Sequence, residues 1–148
     1  MENENVKRLR EAYASWNDTK GRSMEKWMGL MDDAVRFRSL AGGATGMEFT
    51  LDCHNKIDLG RYFAGLAEDW EMIHYTPEDY IAEGDRVVVL SRCAWRNRKT
   101  GKTVETPKAD IFRFSEGKVI DFFEFYDTAR TLACAQPDLE AHVDSSAG

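Results

Sequence analysis

The hydrophobic periodicity of this chain changes once, near residue 70, and that change limits the fold classes open to it. Up to that point apolar residues recur at helical spacing, and beyond it they alternate with polar residues at the period of two that a strand requires. Turn signals at 83–85, 100–102 and 115–117 divide the alternating part into neighbouring antiparallel strands. The sequence therefore predicts an α+β fold, in which three N-terminal helices pack on one face of a curved, mostly antiparallel sheet, with room for a cavity between the layers.

Three apolar stripes mark the helices. The first consists of Val6, Leu9, Tyr13 and Trp16. The second consists of Met24, Trp27, Met28 and Met31. The third consists of Leu59, Tyr62, Phe63, Leu66 and Trp70. We expect the second helix to begin after Ser23, a candidate N-cap, and to end at Asp32 and Asp33, followed by a short strand at 34–40 and a glycine-rich loop at 41–46.

The 148 residues suit one domain with one core. We assign residues 1–135 to this domain and residues 136–148, which lose the periodicity, to a flexible tail. The polar N-terminus lacks the apolar run of a signal peptide, and no apolar window is long enough to span a membrane. A soluble, cytoplasmic protein is therefore expected.

Charge and cysteine content narrow the classes of partner. The net charge is −6 and no long basic run occurs, which argues against nucleic acids and anionic membranes as partners. The three cysteines are widely spaced and form no C-x-x-C motif, so neither a disulfide framework nor a zinc site is indicated. With four tryptophans among its aromatic residues, the chain can line an apolar cavity. A small apolar molecule is the expected ligand.

The stretch "KADIFRF" places an acid among phenylalanines. Strand alternation puts Lys108, Asp110, Phe112 and Phe114 on one face. Two interpretations of Asp110 follow. Either the acid pairs with Lys108 in solvent, a contact worth about 0–1 kcal/mol, or it lies in a dry pocket where burial favours the neutral, hydrogen-donating form.

The last strand, "GKVIDFFEFYD", has the same kind of pattern. Glu124 alternates with Phe122 and Tyr126, while Phe123 and Phe125 take the other face. An acid in a pocket can act as a general base or as an ion-pair partner, and both interpretations stay open here. The next residue, Asp127, is favoured as the N-cap of a short terminal helix.

The order of elements, together with "MDDAVRF", "AEGDRVVV", "TGK" and "ADIFRFSEGKVIDFFEFYD", resembles the SnoaL-like and ketosteroid isomerase-like branch of the nuclear transport factor 2-like (NTF2-like) superfamily. The resemblance extends to Asp127. It implies a cone-shaped scaffold with a cavity between the helices and the concave sheet face, and a homodimer contact on the opposite face. Such scaffolds host isomerases, cyclases, epoxide hydrolases, dehydratases and proteins without catalysis, so the reaction class stays open.

The resemblance also implies residue roles. Asp110 corresponds to the isomerase acid that donates a hydrogen bond to the substrate oxyanion, and Tyr13 to the first-helix tyrosine of the same oxyanion hole. Glu124 corresponds to one of the carboxylates of limonene epoxide hydrolases. Where the isomerases have their catalytic aspartate, this chain has Arg38, which either binds a polar substrate group or neutralises a cavity acid.

These observations predict a SnoaL-like enzyme that needs no metal or organic cofactor and transfers protons on an apolar, cyclic or open-chain carbonyl compound. Asp110 and Tyr13 are the expected oxyanion stabilisers and Glu124 the expected base. The expected substrate-binding residues are Arg38, His74, Trp27, Trp95, Phe112 and Tyr126. The alternative is a non-catalytic ligand-binding or dimerisation module whose acids are solvated or paired with basic side chains. In both cases a homodimer through Phe123 and Phe125 is expected.

Overall fold

The helices precede most of the strands along the chain, in a computed structural model that describes residues 2–138. The helices are α1 (Glu4–Asp18), α2 (Met24–Leu30), α3 (Lys56–Asp69) and α4 (Thr128–Ala135), with a 3₁₀ turn at Glu48–Thr50. The strands are β1 (Met31–Ser39), β2 (Trp70–Glu83), β3 (Arg86–Asn97), β4 (Thr103–Ser115) and β5 (Lys118–Tyr126). The predicted α+β class is confirmed.

The five strands form one sheet in the order β1-β5-β4-β3-β2. The three hairpin pairs are antiparallel, and β1 joins the edge of β5 in parallel. All three predicted turns are present, and Gly84, between β2 and β3, has φ of +59°, a conformation that glycine adopts without strain. Bulges in the β2–β3 and β4–β5 pairs bend the strands, so that one face of the sheet wraps the helices.

The first and third helices form where their apolar stripes predict them. Asn3 caps α1 by accepting a hydrogen bond from the Asn5 amide at 2.8 Å, and Asn55 caps α3 through the Asp58 amide at 2.8 Å. The buried residues of α1 are Val6, Leu9, Ala12, Tyr13 and Trp16. Both helices therefore bury one face against the sheet, as amphipathic helices do.

The end of α2 was predicted too late in the chain. The helix ends at Leu30, and Asp32 and Asp33 belong to β1. Met31, which continues the helical stripe in sequence, is extended (φ −87°, ψ 142°) and pairs with Val119 of β5. At Met31, strand pairing prevails over continuation of the helix, because pairing with β5 provides hydrogen-bond partners for backbone N–H and C=O groups at the sheet edge. Ser23 does occupy the N-cap position, but its side chain makes no capping hydrogen bond.

The C-terminal part confirms a further prediction. Asp127 caps α4 by accepting a hydrogen bond from the Arg130 amide at 3.0 Å. Of the predicted tail, Gln136 contacts the Thr45 carbonyl through its amide nitrogen at 3.2 Å, and residues 139–148 lie outside the described residues. No helix in the described range is long and apolar enough to cross a membrane.

The sheet face turned away from the helices carries an apolar patch. Phe123 and Phe125 stack at 4.3 Å between ring centroids, and the guanidinium of Arg38 lies 4.3 Å from the Phe123 ring centre. The neighbouring strands add Ile111, which pairs with Phe123 and is 39% exposed, and Leu90, which is 38% exposed. We call Leu90, Ile111, Phe123 and Phe125 the outer patch. Half-exposed apolar side chains grouped in this way are typical of association surfaces.

We expect the outer patch to form a homodimer contact. Light scattering at micromolar protein should then give twice the chain mass for the wild type and a mass near that of one chain for Ile111→Lys, because a buried, unpaired ammonium opposes association. Ile57→Lys is the matched control, since Ile57 on α3 is 73% exposed and lies outside the patch. A monomeric wild type would reject the contact.

Candidate functional site

A mostly aromatic cavity of about 80 Å³ lies between the helices and the concave face of the sheet. A water molecule needs roughly 10–15 Å³ measured in this way, so the space holds several waters or a small organic group. The aromatic walls include Trp16, Trp27, Phe49, Phe63, Trp70 and Trp95. The polar lining includes Tyr13, Tyr62, Tyr75, Lys108, Asp110 and Glu124.

The polar centre of the cavity is a group of three charged side chains on adjacent strands, Lys108, Asp110 and Glu124, which we call the acid–lysine–acid cluster. Asp110 of β4 pairs directly with Glu124 of β5, and Lys108 precedes Asp110 by two residues on the same face. The ammonium nitrogen of Lys108 lies 3.3 Å from Oδ1 of Asp110 and 3.0 Å from Oε1 of Glu124. One cation thus bridges two carboxylates that are only 1% and 3% exposed.

The two oxygens of Asp110 have different surroundings. Oδ2 accepts hydrogen bonds from the phenol groups of Tyr13 on α1 and Tyr75 on β2, the latter at 2.9 Å. Oδ1 faces Lys108 but has no partner of hydrogen-bond geometry within residues 2–138. The phenols therefore fix the orientation of the carboxylate while one oxygen keeps free capacity to accept a proton.

Glu124 is surrounded by donors at both oxygens. The Tyr62 phenol on α3 lies 3.0 Å from each oxygen, and Ser39 Oγ donates to Oε2 at 2.7 Å. Ser39 pairs with Glu124 across β1 and β5, and its hydroxyl also lies 2.6 Å from the Tyr126 hydroxyl. With Lys108 on Oε1, neither oxygen of Glu124 is left without a donor.

Charge states within the cluster follow from these contacts. Burial alone lowers the pKa of the Lys108 ammonium, but the nearby Asp110 and Glu124 carboxylates outweigh it and raise that pKa well above its usual value. Burial, reinforced by the neighbouring carboxylates, raises the pKa of Tyr13, Tyr62 and Tyr75 well above 10. At neutral pH the Lys108 ammonium is therefore charged, and the phenol groups of these three tyrosines are neutral donors.

Comparison with known proteins identifies the family. The profile of the SnoaL-like domain matches residues 9–122 of this chain, which include most of α1, all of α2 and α3, and most of the sheet. The chain belongs to the SnoaL-like domain family. No curated protein matches it.

Solved structures agree with this SnoaL-like assignment. An NTF2-like protein of unknown function from Burkholderia pseudomallei superposes with a TM-score of 0.80 at 19% identity, over 91% of this chain and 99% of its own. A hypothetical protein with a ketosteroid isomerase-like fold from Catenulispora acidiphila, in complex with trimethylamine, gives 0.70 at 14% identity, over 93% and 96%. A candidate SnoaL-like polyketide cyclase from Jannaschia sp. CCS1 gives 0.73 at 19% identity, over 90% and 93%. At such identities the likeness establishes the fold alone.

Six residues that the sequence nominated for the SnoaL-like site line the cavity. They are Tyr13, Trp27, Trp95, Asp110, Glu124 and Tyr126. The structure brings Tyr13 and Asp110 together. The sequence predicted that both groups would donate hydrogen bonds to a substrate oxyanion, but the Tyr13 phenol instead donates its hydrogen bond to the Asp110 carboxylate. Within residues 2–138 the structure contains no group of three histidine, cysteine or acidic side chains arranged to bind a metal ion.

Three nominated substrate-binding residues lie elsewhere. Arg38 pairs with Phe123 across β1 and β5, so its side chain lies on the outer face, where it contacts Asp121 at 3.4 Å. It therefore neither meets a cavity ligand nor neutralises the cavity acids. Phe112 is fully buried, with its ring stacked 6.1 Å from that of Trp27, and His74, beside a bulge in β2, does not contribute to the lining among the described residues.

Sequence reasoning missed Lys108, Tyr62 and Tyr75 as site residues. Strand alternation did place Lys108 on the face of Asp110, but it left open whether that face was wet or dry. Tyr62 belongs to the predicted apolar stripe of α3, which gave no sign that its hydroxyl reaches an acid. Tyr75 follows a bulge in β2, and a bulge shifts the alternation by one residue, so its face was not predictable from spacing.

The buried phenols predict the alkaline behaviour of the protein. Because the folded-state pKa values of Tyr13, Tyr62 and Tyr75 are raised, the unfolded chain loses these protons near pH 10 while the folded chain keeps them. Stability should therefore fall as the pH rises above 10. Tyrosinate absorbance and circular dichroism, followed together, should show that most of the five tyrosines ionise only with unfolding. Ionisation of most of them before unfolding would contradict this.

Removal of the cluster cation should destabilise the fold strongly. Lys108→Met leaves two buried carboxylates without a counter-ion, which we expect to cost about 3–5 kcal/mol at neutral pH.

In the wild type, the stabilisation of the fold by the charged Lys108 should be fully present below the unfolded-state pKa of this lysine. It should be lost only as the pH rises through the raised folded-state pKa. Urea unfolding across pH checks both expectations. Lys7→Met is the control, since Lys7 forms an exposed helix pair with Glu4 at 3.4 Å. Equal effects of the two substitutions at every pH would refute a buried cluster.

Proposed function

We propose that this SnoaL-like chain is an enzyme that transfers protons on a small carbonyl compound with an apolar body, by the acid–base chemistry of its own cavity side chains. The observation that supports this most directly is the asymmetry of Asp110. One carboxylate oxygen is held by two phenols, and the other is buried in the cavity without a hydrogen-bond partner within the described range. An oriented, partly free carboxylate is the arrangement that a general base requires.

In the proposed reaction, Oδ1 of Asp110 takes a proton from a carbon next to the substrate carbonyl. The electron pair of the broken C–H bond forms a carbon–carbon double bond, and the carbonyl oxygen becomes an enolate oxygen. Asp110 is then neutral and returns its proton to another substrate atom. The total charge of cavity and substrate is unchanged throughout, so no ion has to enter the buried site.

Lys108 is the proposed stabiliser of the enolate oxygen. The ammonium nitrogen lies 3.3 Å from Oδ1 of Asp110 and 3.0 Å from Oε1 of Glu124, and its three rotatable N–H groups allow it to donate to a ligand while it stays ion-paired with both carboxylates. A donor positioned at developing negative charge in a site without bulk water typically contributes about 10²- to 10³-fold in rate. The raised pKa of Lys108 keeps this donor charged at neutral pH.

This division of roles differs from the one that the sequence suggested, in which Asp110 donated to the oxyanion and Glu124 was the base. Glu124 has donors at both oxygens, so a proton arriving there would displace one of them. Tyr13 is committed to Asp110, which makes it a positioning residue in this proposal. Trp27, Trp95 and Tyr126 remain the proposed ligand walls.

Similarity to a candidate polyketide cyclase agrees with a carbonyl substrate, since polyketide chemistry depends on acidic C–H bonds beside carbonyl groups. One observation favours a second candidate, a non-catalytic ligand-binding module. Lys108 lies within 3.3 Å of both acids, and a cation that satisfies two carboxylates can serve the structure of the site alone.

Proton exchange distinguishes the two. Cyclic ketones incubated with the protein in D₂O should exchange hydrogens beside the carbonyl, as followed by NMR, and Asp110→Asn should slow this exchange by about 10²- to 10⁴-fold. Glu124→Gln should slow it far less. Asp121→Asn, which removes an outer-face carboxylate, is the control.

The outcomes are separable. Ketones that bind without exchange in the wild type would favour the binding module. Exchange that survives Asp110→Asn but disappears in Glu124→Gln would return the base role to Glu124.

A further inference from the structure

A second pocket adjoins the aromatic wall of the cavity, where the turn after α1 meets the end of α3 and the start of β2. It has a volume of about 470 Å³. Four side chains line both this pocket and the cavity, namely Phe63, Leu66, Trp70 and Trp95. We call the second pocket the basic groove, after the Lys20, Arg22 and Arg98 side chains in its lining.

The basic groove is positively charged, although the chain as a whole carries a net charge of −6. Against its three basic residues, Glu71 is the only acidic residue in the lining among the described residues. The nearby Asp69 is paired with Lys99 at 3.5 Å. A concave surface with an excess of one charge raises the local concentration of ligands of the opposite charge. The groove therefore favours an oxyanion, either a carboxylate or a phosphate.

The arginines of the groove are oriented by the protein and still have donors for a ligand. Nε of Arg98 donates to the Ala67 carbonyl at 3.1 Å, and its Nη1 lies 3.3 Å from the Glu71 carboxylate. Because Ala67 and Glu71 both line the groove, these contacts place the guanidinium at its surface. Nε of Arg22 donates to the Thr19 carbonyl at 3.2 Å. A guanidinium has five N–H groups, so these contacts leave donors of both arginines for an oxyanion.

The turn that carries Lys20 has an unusual backbone. Lys20 has φ of +52° and Gly21 has φ of +79°, and this left-handed region is unfavourable for a residue with a Cβ atom. A Cβ atom on Gly21 would lie 3.7 Å from Cη2 of Trp95 and 3.8 Å from Cη2 of Trp16, so the turn packs directly on the cavity wall. A strained lysine with an exposed side chain is more readily explained by binding than by stability.

Cavity and groove together form an elongated site. The inward-facing residues of β4 from Val104 to Asp110 line the cavity, and Val104 pairs with Trp95 at the boundary with the groove. Lys108 lies four residues beyond Val104, which is roughly 14 Å at the rise of an antiparallel strand. A ligand that reaches both the acid–lysine–acid cluster and the groove must therefore be an extended molecule.

The two ends of this site differ in charge. In the proposed function both carboxylates of the acid–lysine–acid cluster are ionised, so the cluster carries two negative charges and one positive. It would repel an anion, whereas the basic groove attracts one. The charges therefore orient a ligand with its neutral carbonyl in the cavity and its anionic end in the groove.

We propose that the basic groove binds the carboxylate or phosphate end of an extended ligand whose apolar body and carbonyl group lie in the cavity. This deepens the proposed function by specifying its substrate class, and it rests on that function only for the position of the carbonyl. Lys20, Arg22 and Arg98 are then specificity-determining residues and take no part in proton transfer.

The test compares three probes with the same twelve-carbon chain and a ketone next to the methyl end. 11-Oxododecanoate ends in a carboxylate, 11-oxododecyl phosphate in a phosphate, and 12-hydroxydodecan-2-one in a neutral hydroxyl. We expect both anions to bind about tenfold more tightly than the alcohol, the effect of a hydrogen bond between charged groups, and the tighter of the two identifies the natural anion class. Fluorescence of the tryptophans in the cavity wall reports binding.

A short pair of probes tests the elongated geometry. 4-Oxopentanoate and 5-hydroxypentan-2-one carry the same end groups, but their ketone lies too close to the other end to reach cluster and groove together. The carboxylate should therefore give no advantage in this pair.

Replacement of the groove cations should reduce the preference for anions. Lys20→Asn and Arg22→Gln should each lower it about two- to fivefold without changing the affinity for the alcohol. Lys20→Asn should also leave the Tm unchanged or raise it, because asparagine tolerates the left-handed conformation better than lysine does. Arg61→Gln is the matched control, since it removes the same charge from an arginine on α3 that is 79% exposed and lies outside the groove.

Equal wild-type affinities for the anions and the alcohol would overturn the proposal, as would failure of all three long probes to bind. A preference that survives both groove substitutions, or an equal preference in the short pair, would also overturn it. Proton exchange is measured separately on cyclic ketones and bears on the proposed function alone. A preference for anions without exchange would keep the ligand class and reject the catalysis, and exchange without this preference would do the reverse.

Discussion

Asp110 and Glu124 occupy directly paired positions on β4 and β5, and the rest of the site depends on that register. A slip of β5 by one residue would move Glu124 to the outer face, away from Asp110 and Lys108 of β4, because side chains alternate between the two faces of a strand. The turn at Glu116-Gly117 and the burial of Phe112, Phe114 and Phe122 hold the register in place. The hydrophobic core therefore specifies where the polar cluster lies.

Burial of three charged groups is tolerated because each has several partners. A lone carboxylate in such a place would cost several kcal/mol, whereas here one ammonium and four hydroxyl groups surround two carboxylates. The hydroxyl donors come from α1, α3, β1 and β2, so helices and sheet are joined through the cluster as well as through apolar contacts. Of the buried side-chain atoms without a hydrogen-bond partner in the described range, those of Asp110, Trp27 and Trp70 belong to residues that line the cavity, whereas those of Ser23, Arg38, His74 and Ser91 do not.

Much of the fold was predictable because it depends on local periodicity. The change of period, the three turns, the facing of Asp110 and Glu124 and the cap at Asp127 all follow from spacing within single elements. The errors concern long-range pairing. Met31 continues a helical stripe but pairs with β5, and Arg38 faces outward because parallel pairing of β1 with β5 sets its side. No local pattern encodes which distant strand becomes the neighbour.

The same limit explains why one of the charge partners that the sequence offered for the acids, Arg38, does not reach them. Arg38 was weighed as the cation that would neutralise them, since it stands where related isomerases have their base, but Lys108 fills that role from within the strand of Asp110. The difference matters chemically. A guanidinium on β1 would hold a carboxylate in a rigid two-pronged contact, whereas a lysine ammonium has three rotatable donors and can turn one of them toward a ligand while it keeps both acids. Charge compensation and recognition of a developing oxyanion are therefore compatible in a single side chain.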